Sequence, residues 1–334
     1  MLNISLMGAG RIGKMHAKYI TQNPKCKLSY VYDINSNLAK QVAEENNAKV
    51  VNSPEEAINN KDVDIVFIAS ATPTHIDFIR MSANAGKAIF CEKPIDLDIN
   101  KVNECSKFLK DFDLPIQIGF NRRFDNSHRN VKIAKDKGKI GKLEMIIISS
   151  RDPEPPGLEY LKAAGGFFRD TTIHDFDLSR FVLNDDPIIE VCAYGSQLIS
   201  AECKEVGDQD TAMFIMKSKN GVLIHINNSR RAVYGYDQRL EVFGSKGMMI
   251  SNNQSPSSVE LFNDKITNAK DPIHFFFIER YEQAYRDQLD DFITSIINKK
   301  IPSVTFEDGR KALLLANAAY DSYETGKSIK VNLN

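Results

Sequence analysis

Three glycines near the N-terminus have the spacing of a phosphate-binding turn. Gly8, Gly10 and Gly13 follow an apolar stretch at residues 2–7 and open a stretch with helical periodicity. In such a turn the backbone approaches a pyrophosphate closely, and the N–H groups and dipole of the helix favour its negative charge. A glycine turn that only permits close packing is the alternative, but the position between a predicted strand and a predicted helix favours a dinucleotide. The residues of this turn that we predict as cofactor contacts are Gly8, Gly10, Arg11, Ile12 and Gly13.

Asp33 closes the next predicted strand, at residues 27–33. A carboxylate at this position can accept hydrogen bonds from the hydroxyls of the adenosine ribose. It also repels the 2′-phosphate that distinguishes NADP from NAD. The sequence therefore predicts NAD as the cofactor.

Lys93 ends the strand candidate at residues 88–92, where it would lie at the carboxyl edge of a parallel sheet. Ligands of doubly wound folds bind at this edge. Pro94 restricts the backbone of the preceding residue and permits a cis peptide bond, which suggests that the lysine side chain is aimed at a site. A solvated surface lysine is the alternative interpretation.

Asp170, His174 and Asp177 recur at positions i, i+4 and i+7. On a helix these positions share one face. A histidine that titrates near neutral pH can remove a proton from a hydroxyl group. Charged faces are commonly just solvated, but Phe176 and Phe181 indicate a helix pressed into a core, with its polar stripe facing a cleft.

The elements that must position these residues change in character along the chain. Strands alternate with helices up to about residue 121, which predicts an α/β Rossmann domain with a doubly wound parallel sheet. From Lys142 onward consecutive strands and the turn Asn220-Gly221 predict an α+β second domain with a large open, mainly antiparallel sheet. We assign residues 1–121 to NAD binding and 122–334 to substrate binding and oligomerisation. The last predicted helix, about 305–326, is a candidate to pack back on the first domain.

The composition excludes several classes of protein. The 43 Lys and Arg residues nearly balance the 44 Asp and Glu residues, which gives no electrostatic reason to expect a nucleic acid or an anionic membrane as partner. The five cysteines form no C-x-x-C pair, and the histidines outside 170–177 have no metal-ligand spacing, so we expect no metal site. No apolar run reaches the roughly 18 residues that span a bilayer. We expect a cytoplasmic protein.

Longer motifs resemble the glucose–fructose oxidoreductase / inositol dehydrogenase family. The resemblance covers the whole chain, and its motifs come in the family's order. They are GAGRIG (8–13), ATPTH (71–75), EKP (92–94), GFNRRFD (119–125) and GGFFRDTTIHDFDLSRF (165–181). Within the family the chain is most similar to the bacterial inositol 2-dehydrogenases. This narrower likeness is carried by RDPEPPGLEYLKAAGG (151–166) and NNSRRAVYGYDQRLEVFGSKGM (227–248).

The resemblance implies roles for individual residues. His174 would be the general base, Lys93 would hold the reacting oxygen, and Asp170 would orient Lys93 or the substrate hydroxyl. The further cofactor contacts that it implies are Ala71, Thr72, Pro73, His75, Glu92, Lys93 and Asn121. The residues that it implies for the non-reacting substrate hydroxyls are Arg122, Asp177 and Tyr236.

The expected activity is NAD-dependent oxidation of myo-inositol to 2-keto-myo-inositol. A related NAD(P)-dependent dehydrogenase of scyllo-inositol, another inositol or a pyranose sugar is the alternative enzyme. A non-catalytic NAD-binding regulator is an alternative of a different class. In the strand candidate 222–229, Val222, Ile224 and Ile226 lie opposite His225 and Asn227. An open sheet with such a mixed outer face is typical of a subunit interface, and with the family resemblance it leads us to expect a homotetramer.

Overall fold

The computed structural model describes residues 1–333. The chain falls into two compact units. The first comprises Met1–Asn121 and Gln283–Leu313, and the second comprises Arg122–Glu282 and the described chain from Leu314 onward.

A parallel sheet of six strands forms the centre of the first unit. Its strands are β1 (Leu2–Met7), β2 (Cys26–Tyr32), β3 (Lys49–Val50), β4 (Ile65–Ile68), β5 (Ala88–Cys91) and β6 (Ile116–Ile118). They lie in the order β3-β2-β1-β4-β5-β6. The direction of winding reverses between β1 and β4, and ligands of such sheets bind beyond the carboxyl ends of the strands at this point. β4 is fully buried, which explains its uninterrupted apolar sequence.

Five helices connect these strands. They are α1 (Arg11–Gln22), α2 (Ser36–Glu45), α3 (Pro54–Ile58), α4 (His75–Asn84) and α5 (Ile99–Leu109). The start of α3 shows how local sequence sets these boundaries, because Ser53 accepts a hydrogen bond from the backbone N–H of Glu56 and Pro54 takes the first helical position.

The second unit is built on a mixed sheet of seven strands, β12-β11-β7-β10-β9-β8-β15. The strands are β7 (Leu143–Arg151), β8 (Ile188–Ser196), β9 (Thr211–Ser218), β10 (Leu223–Ser229), β11 (Asp237–Gly244), β12 (Gly247–Ser251) and β15 (Ile329–Lys330). β7 and β10 are parallel, and the other pairs are antiparallel. A small separate hairpin consists of β13 (Glu260–Leu261) and β14 (Ala269–Lys270). The predicted fold class is confirmed.

Five further helices lie in the second unit before residue 282. They are α6 (Asn126–Asp136), α7 (Leu158–Ala163), α8 (Ile173–Leu183), α9 (Ala201–Glu205) and α10 (Phe277–Arg280). A π-helical turn, Phe168–Thr172, leads directly into α8. Edge-to-face contacts bring Phe168 and Phe176 to Phe214 of β9, at ring-centroid distances of 5.0 and 5.4 Å. These contacts fix the segment that carries Asp170 and His174 to the sheet.

The segment 283–313 belongs to the first unit. It contains α11 (Glu282–Ile297) and the start of α12 (Phe306–Thr325), and the division between the units falls within α12. Tyr285 contacts His16 at 5.5 Å between ring centroids, and Phe292 contacts Phe90 at 5.8 Å. An amphipathic pattern shows that a helix buries one face but not against which partner. The structure therefore places residues 283–304 in the first unit rather than in the assigned second one, and it groups the start of α12 with the first unit, on which the last helix was a candidate to pack. Among the helices of residues 1–333, none is long and apolar enough to cross a membrane.

Candidate active site

The glycine turn joins the end of β1 to the start of α1. Gly8 has φ +104°, and a Cβ there would lie 2.6 Å from the carbonyl carbon of Ala69. A Cβ on Gly13 would lie 2.0 Å from the carbonyl oxygen of Gly8. The fold itself therefore requires these two glycines. A Cβ on Gly10 would meet nothing within 4 Å, so this position leaves open space at the N-terminus of α1.

Asp33 is tied to the same turn. Its Oδ2 accepts a hydrogen bond of 2.6 Å from the backbone N–H of Ala9, and its Oδ1 accepts one of 2.7 Å from the N–H of Asn35. A carboxylate oxygen has a further lone pair, so both oxygens can also accept from ribose hydroxyls. The structure thus brings the phosphate turn and the predicted ribose-binding carboxylate together.

Asn121 lies beyond the end of β6, at the same edge of the sheet. Its side chain is buried, and its Nδ2 atom has no hydrogen-bond partner among residues 1–333. A buried donor of this kind needs a partner, which a bound cofactor would supply. The open space at Gly10, the position of Asp33 and this amide all fit a dinucleotide.

The turn after β4 contains Ala71, Thr72 and Pro73, which are at least partly exposed as cofactor contacts must be. His75 is different, because only 1% of it is exposed. Its Nδ1 lies 2.8 Å from the carbonyl oxygen of Pro94, and its Nε2 lies 3.0 Å from that of Ser70. The ring of His75 thus lies between two loops, and its role as a cofactor contact stays a prediction.

The residues around Lys93 form a second supported turn at the end of β5. Glu92 Oε1 pairs with Nε2 of the buried His16 at 2.7 Å, and Glu92 Oε2 accepts from the backbone N–H of Lys93 at 3.3 Å. The Lys93–Pro94 peptide bond is cis. Sequence reasoning predicted Glu92 as a cofactor contact and overlooked His16. The structure gives the Glu92 carboxylate an internal role, in which it holds the turn that carries Lys93.

In the second unit, polar residues collect where β7 and β10 end. These two strands are parallel, with Ser229 opposite Arg151, so the residues that follow them leave the sheet at one edge. Asp170 lies in the π-helical turn, with 8% of its surface exposed, and His174 follows in the first turn of α8. A π-helical turn is wider than an α-helical one, so the i, i+4, i+7 alignment predicted for Asp170, His174 and Asp177 does not apply across it.

Arg122 and Tyr236 line the same part of the second unit. Arg122 Nη1 donates to Asp175 Oδ1 at 2.5 Å, and the carboxylate raises the pKa of the guanidinium despite its burial. Tyr236 is 7% exposed and packs edge-on against Tyr281 at 5.9 Å. Burial raises the pKa of the Tyr236 phenol, which therefore remains a hydrogen-bond donor at neutral pH.

Asp177 has a structural role in the second unit. It is 1% exposed and receives two hydrogen bonds, of 2.7 and 2.5 Å, from the guanidinium of Arg123. Arg180 lies 3.5 Å from the same carboxylate. This carboxylate is buried and paired with two arginines, and its contact with a substrate hydroxyl stays a prediction.

Asp152 is a candidate site residue that sequence reasoning missed. It directly follows β7 and is partly buried. Burial raises its pKa to about 6, with Asp170 and Asp175 adding to the rise and Arg230 and Arg122 opposing it. Strongly shifted carboxyls near other charged groups are typical of functional sites. The sequence signal for Asp152 is a carboxylate immediately after a strand. The prolines that follow it, Pro153, Pro155 and Pro156, favoured its interpretation as part of a rigid loop.

Comparisons with known proteins match both units to one family. Residues 2–120 match the family described as "Oxidoreductase family, NAD-binding Rossmann fold", and residues 128–250 match the "GFO/IDH/MocA C-terminal domain". The chain belongs to this family. The first unit is therefore an NAD-binding domain, as the glycine turn and Asp33 predict.

Relatives within the family match over their full length. An inositol 2-dehydrogenase of Rhizobium meliloti (strain 1021) is 42% identical over 333 residues, which are 99% of each chain. The structure of a myo-inositol dehydrogenase from Corynebacterium glutamicum is 43% identical with a TM-score of 0.95, and 99% of each chain is covered. A scyllo-inositol dehydrogenase from Lactobacillus casei, solved with bound NAD(H) and scyllo-inositol, is 29% identical with a TM-score of 0.92, again over 99% of each chain.

Gly10→Ala separates cofactor binding from folding. The residue has φ −68°, which alanine adopts readily, and its Cβ meets no protein atom within 4 Å. We expect an unchanged or slightly higher melting temperature but NAD affinity weakened about tenfold or more, or about 1.4 kcal/mol, because the methyl group would occupy the space of the pyrophosphate. Calorimetric titration with NAD measures this. Gly13→Ala is the contrast and should lower the melting temperature, whereas wild-type NAD affinity in Gly10→Ala would contradict the assignment.

Asp152→Asn should change how stability depends on pH. The carboxyl titrates near pH 6 in the folded protein and near about 3.9 in an unfolded chain. Its ionisation therefore costs folded-state stability progressively as the pH rises from about 4 to about 6. We expect the asparagine variant to gain stability over the wild type, and to gain more at pH 7.5 than at pH 4.5, in urea unfolding. The exposed Asp264→Asn is the control, and a gain that does not grow with pH would refute the prediction.

Proposed function

We propose that the protein is an NAD-dependent inositol 2-dehydrogenase that oxidises myo-inositol to 2-keto-myo-inositol. The observation that carries this proposal is the 42% identity, over 99% of both chains, with an inositol 2-dehydrogenase. Bound NAD supplies a nicotinamide ring that accepts a hydride from the substrate carbon. The protein must remove the proton from the hydroxyl oxygen on that carbon and stabilise the negative charge that develops on this oxygen.

His174, Lys93 and Asp170 are proposed for these tasks. An imidazole is the side chain best matched to proton removal near neutral pH, which supports His174 as general base. An ammonium group stabilises developing charge on an oxygen, which supports Lys93. Asp170 would orient Lys93 or the reacting hydroxyl, favouring their charged or hydrogen-bonded states. The proposal requires the three groups to converge on the same substrate atom when cofactor and substrate are bound.

A neutral polyol needs donors and acceptors in fixed positions. Arg122 and Tyr236 are proposed as donors to non-reacting hydroxyls, and Asp152 as an acceptor or donor according to its protonation. The ion pair of Arg122 with Asp175 and the packing of Tyr236 on Tyr281 hold both side chains in place, which supports a site of defined geometry.

Oxidation of scyllo-inositol is the second candidate activity. The 29% identity to an enzyme solved with scyllo-inositol favours it over a pyranose sugar. The two inositols differ only in the orientation of a hydroxyl group, so shifts of about 1 Å in the positioning groups decide between them.

A substrate panel tests these functions. Purified protein is mixed with NAD and with myo-inositol, scyllo-inositol, other inositols or glucose, and the absorbance of NADH is followed. We expect the highest kcat/KM with myo-inositol. His174→Ala should lower kcat about 100-fold or more without weakening NAD binding, and His274→Ala, at a partly exposed histidine outside the sheet, is the matched control. Turnover of scyllo-inositol alone would favour the second candidate, and NAD binding without any turnover would favour a regulator.

We further propose that the enzyme is a cytoplasmic homotetramer of myo-inositol catabolism that assembles through the outer face of the seven-stranded sheet. On this outer face Leu223 of β10 lies opposite Met145 of β7, and Met213 and Ile215 of β9 lie opposite Asn227 and His225 of β10. The four apolar side chains are 40–56% exposed. Exposed apolar side chains on one sheet face, interspersed with polar ones, are typical of a subunit interface. The inner faces of the same strands carry the core, which supports assembly without any change of fold.

Ile215→Lys tests the interface. A charge in the middle of this face should shift the protein from tetramer to smaller species, because a buried ammonium without a partner is costly. Light scattering after size-exclusion chromatography measures the mass. Ile301→Lys is the control, since Ile301 is 82% exposed in the first unit. A monomeric wild type, or a tetrameric Ile215→Lys, would contradict the proposed interface.

A further inference from the structure

The distinctive stretch 151–166 contains a tyrosine that contacts the proposed catalytic aspartate. Tyr160 lies in α7, and its hydroxyl donates a hydrogen bond of 2.9 Å to Asp170 Oδ1. The tyrosine is 50% exposed, whereas the aspartate is 8% exposed. A half-exposed side chain thus contacts a nearly buried carboxylate. The cofactor and substrate contacts proposed above give this tyrosine no role.

Arg230 lies on the other oxygen of the same carboxylate. Its Nη2 is 3.8 Å from Asp170 Oδ2 and 3.4 Å from Asp208 Oδ2. Arg230 is 1% exposed, and its guanidinium lies 4.8 Å from the centre of the Phe167 ring. The arginine is therefore held by packing and charge, and it presents a fixed positive group to Asp170.

Asp208 is itself anchored by the backbone. Its Oδ1 accepts hydrogen bonds from the N–H groups of Phe167 and Gln209, at 2.8 and 2.9 Å. Phe167 directly precedes the π-helical turn that contains Asp170. The chain of contacts therefore runs from the backbone at Phe167 through Asp208 and Arg230 to the aspartate, and it closes on the opposite side with Tyr160.

We propose that Tyr160 is a positioning residue that, together with Arg230, fixes the orientation of the Asp170 carboxylate for catalysis. The inference rests on the proposed function, in which Asp170 orients Lys93 or the reacting hydroxyl. A carboxylate held on one oxygen only can rotate about its terminal torsion, which is broad. Contacts on both oxygens remove this freedom and still leave lone pairs for the substrate or for Lys93.

The protonation of Tyr160 agrees with this role. Burial raises the pKa of its phenol, and the nearby Asp170 carboxylate raises it further. The hydroxyl therefore remains a donor throughout the pH range in which a histidine base works. A hydrogen bond to a charged group is stronger than a neutral one, so its loss should be measurable in the rate.

Tyr160→Phe is the direct test, because it keeps the ring and removes only the hydroxyl. We expect kcat with myo-inositol to fall about tenfold, equivalent to about 1.4 kcal/mol, with the NAD dissociation constant and the melting temperature unchanged. Tyr320→Phe is the matched control, since Tyr320 is 37% exposed in the same unit and its hydroxyl pairs with Glu324. Wild-type kcat in Tyr160→Phe would overturn the proposal.

A double-mutant cycle distinguishes positioning from a structural role. In an Asp170→Asn background, Tyr160→Phe should cause no further loss of kcat, because its effect acts through the carboxylate. Independent, multiplying losses would mean that Tyr160 acts in some other way and would overturn the inference.

A spectroscopic readout keeps the test independent of the proposed activity. With ¹³Cζ-labelled tyrosine, the signal missing from Tyr160→Phe identifies Tyr160 among the 11 tyrosines. The chemical shift of this signal at neutral pH should change in Asp170→Asn, because the hydroxyl then no longer donates to a charged carboxylate, and an unchanged shift would overturn the contact. If the contact is found but the wild type oxidises no polyol, the proposed function fails. If the wild type is active and Asp170→Asn is not, but Tyr160→Phe is fully active, the positioning role alone fails.

Discussion

The arrangement of the second unit depends on pairing the buried carboxylates of the segment 168–183. Each of three aspartates on this segment has an arginine from another part of the chain: Asp170 has Arg230, Asp175 has Arg122, and Asp177 has Arg123. A buried charge without its partner typically costs about 3–5 kcal/mol, so the segment cannot rotate or slide without breaking several pairs. The scaffold pairs at Asp175 and Asp177 thereby define where Asp170 and His174 lie.

The sheet supplies the second constraint. In an antiparallel sheet neighbouring strands end at opposite edges, but β7 and β10 are parallel and end together. The residues that follow them, Asp152 and Arg230, are therefore delivered to one place, although they are far apart in sequence. Their proximity explains why the pKa of Asp152 responds to both Arg230 and Asp170. Protonation of one carboxyl reduces the repulsion among several acidic groups that lie in a small volume.

The sequence predicted most reliably what local physics determines. The strand–glycine–helix pattern and Asp33 depend on spacing within about 30 residues, and the alternation of strands and helices fixes the sheet type. The sequence does not reveal the long-range partners of individual residues. The residues around Asp177 in the sequence do not indicate that Arg123 pairs with it, and those around His75 do not indicate that two carbonyl groups face its ring. The apolar face of α11 does not indicate which unit it packs against. The π-helical turn at Asp170 cannot be predicted from α-helical spacing.

The turn that carries Lys93 follows a different principle from the arginine pairs. His75 reaches the carbonyl oxygen of Pro94, and burial lowers the pKa of its imidazole. A neutral imidazole has a single N–H, so it can donate to only one of its two carbonyl neighbours, Pro94 or Ser70. The loop is thus joined to its surroundings without a further buried positive charge beside Lys93, which would repel the ammonium. The turn is thus held by the neutral His75 and by the Glu92 carboxylate, whereas each of the three aspartates of the segment 168–183 is paired with an arginine.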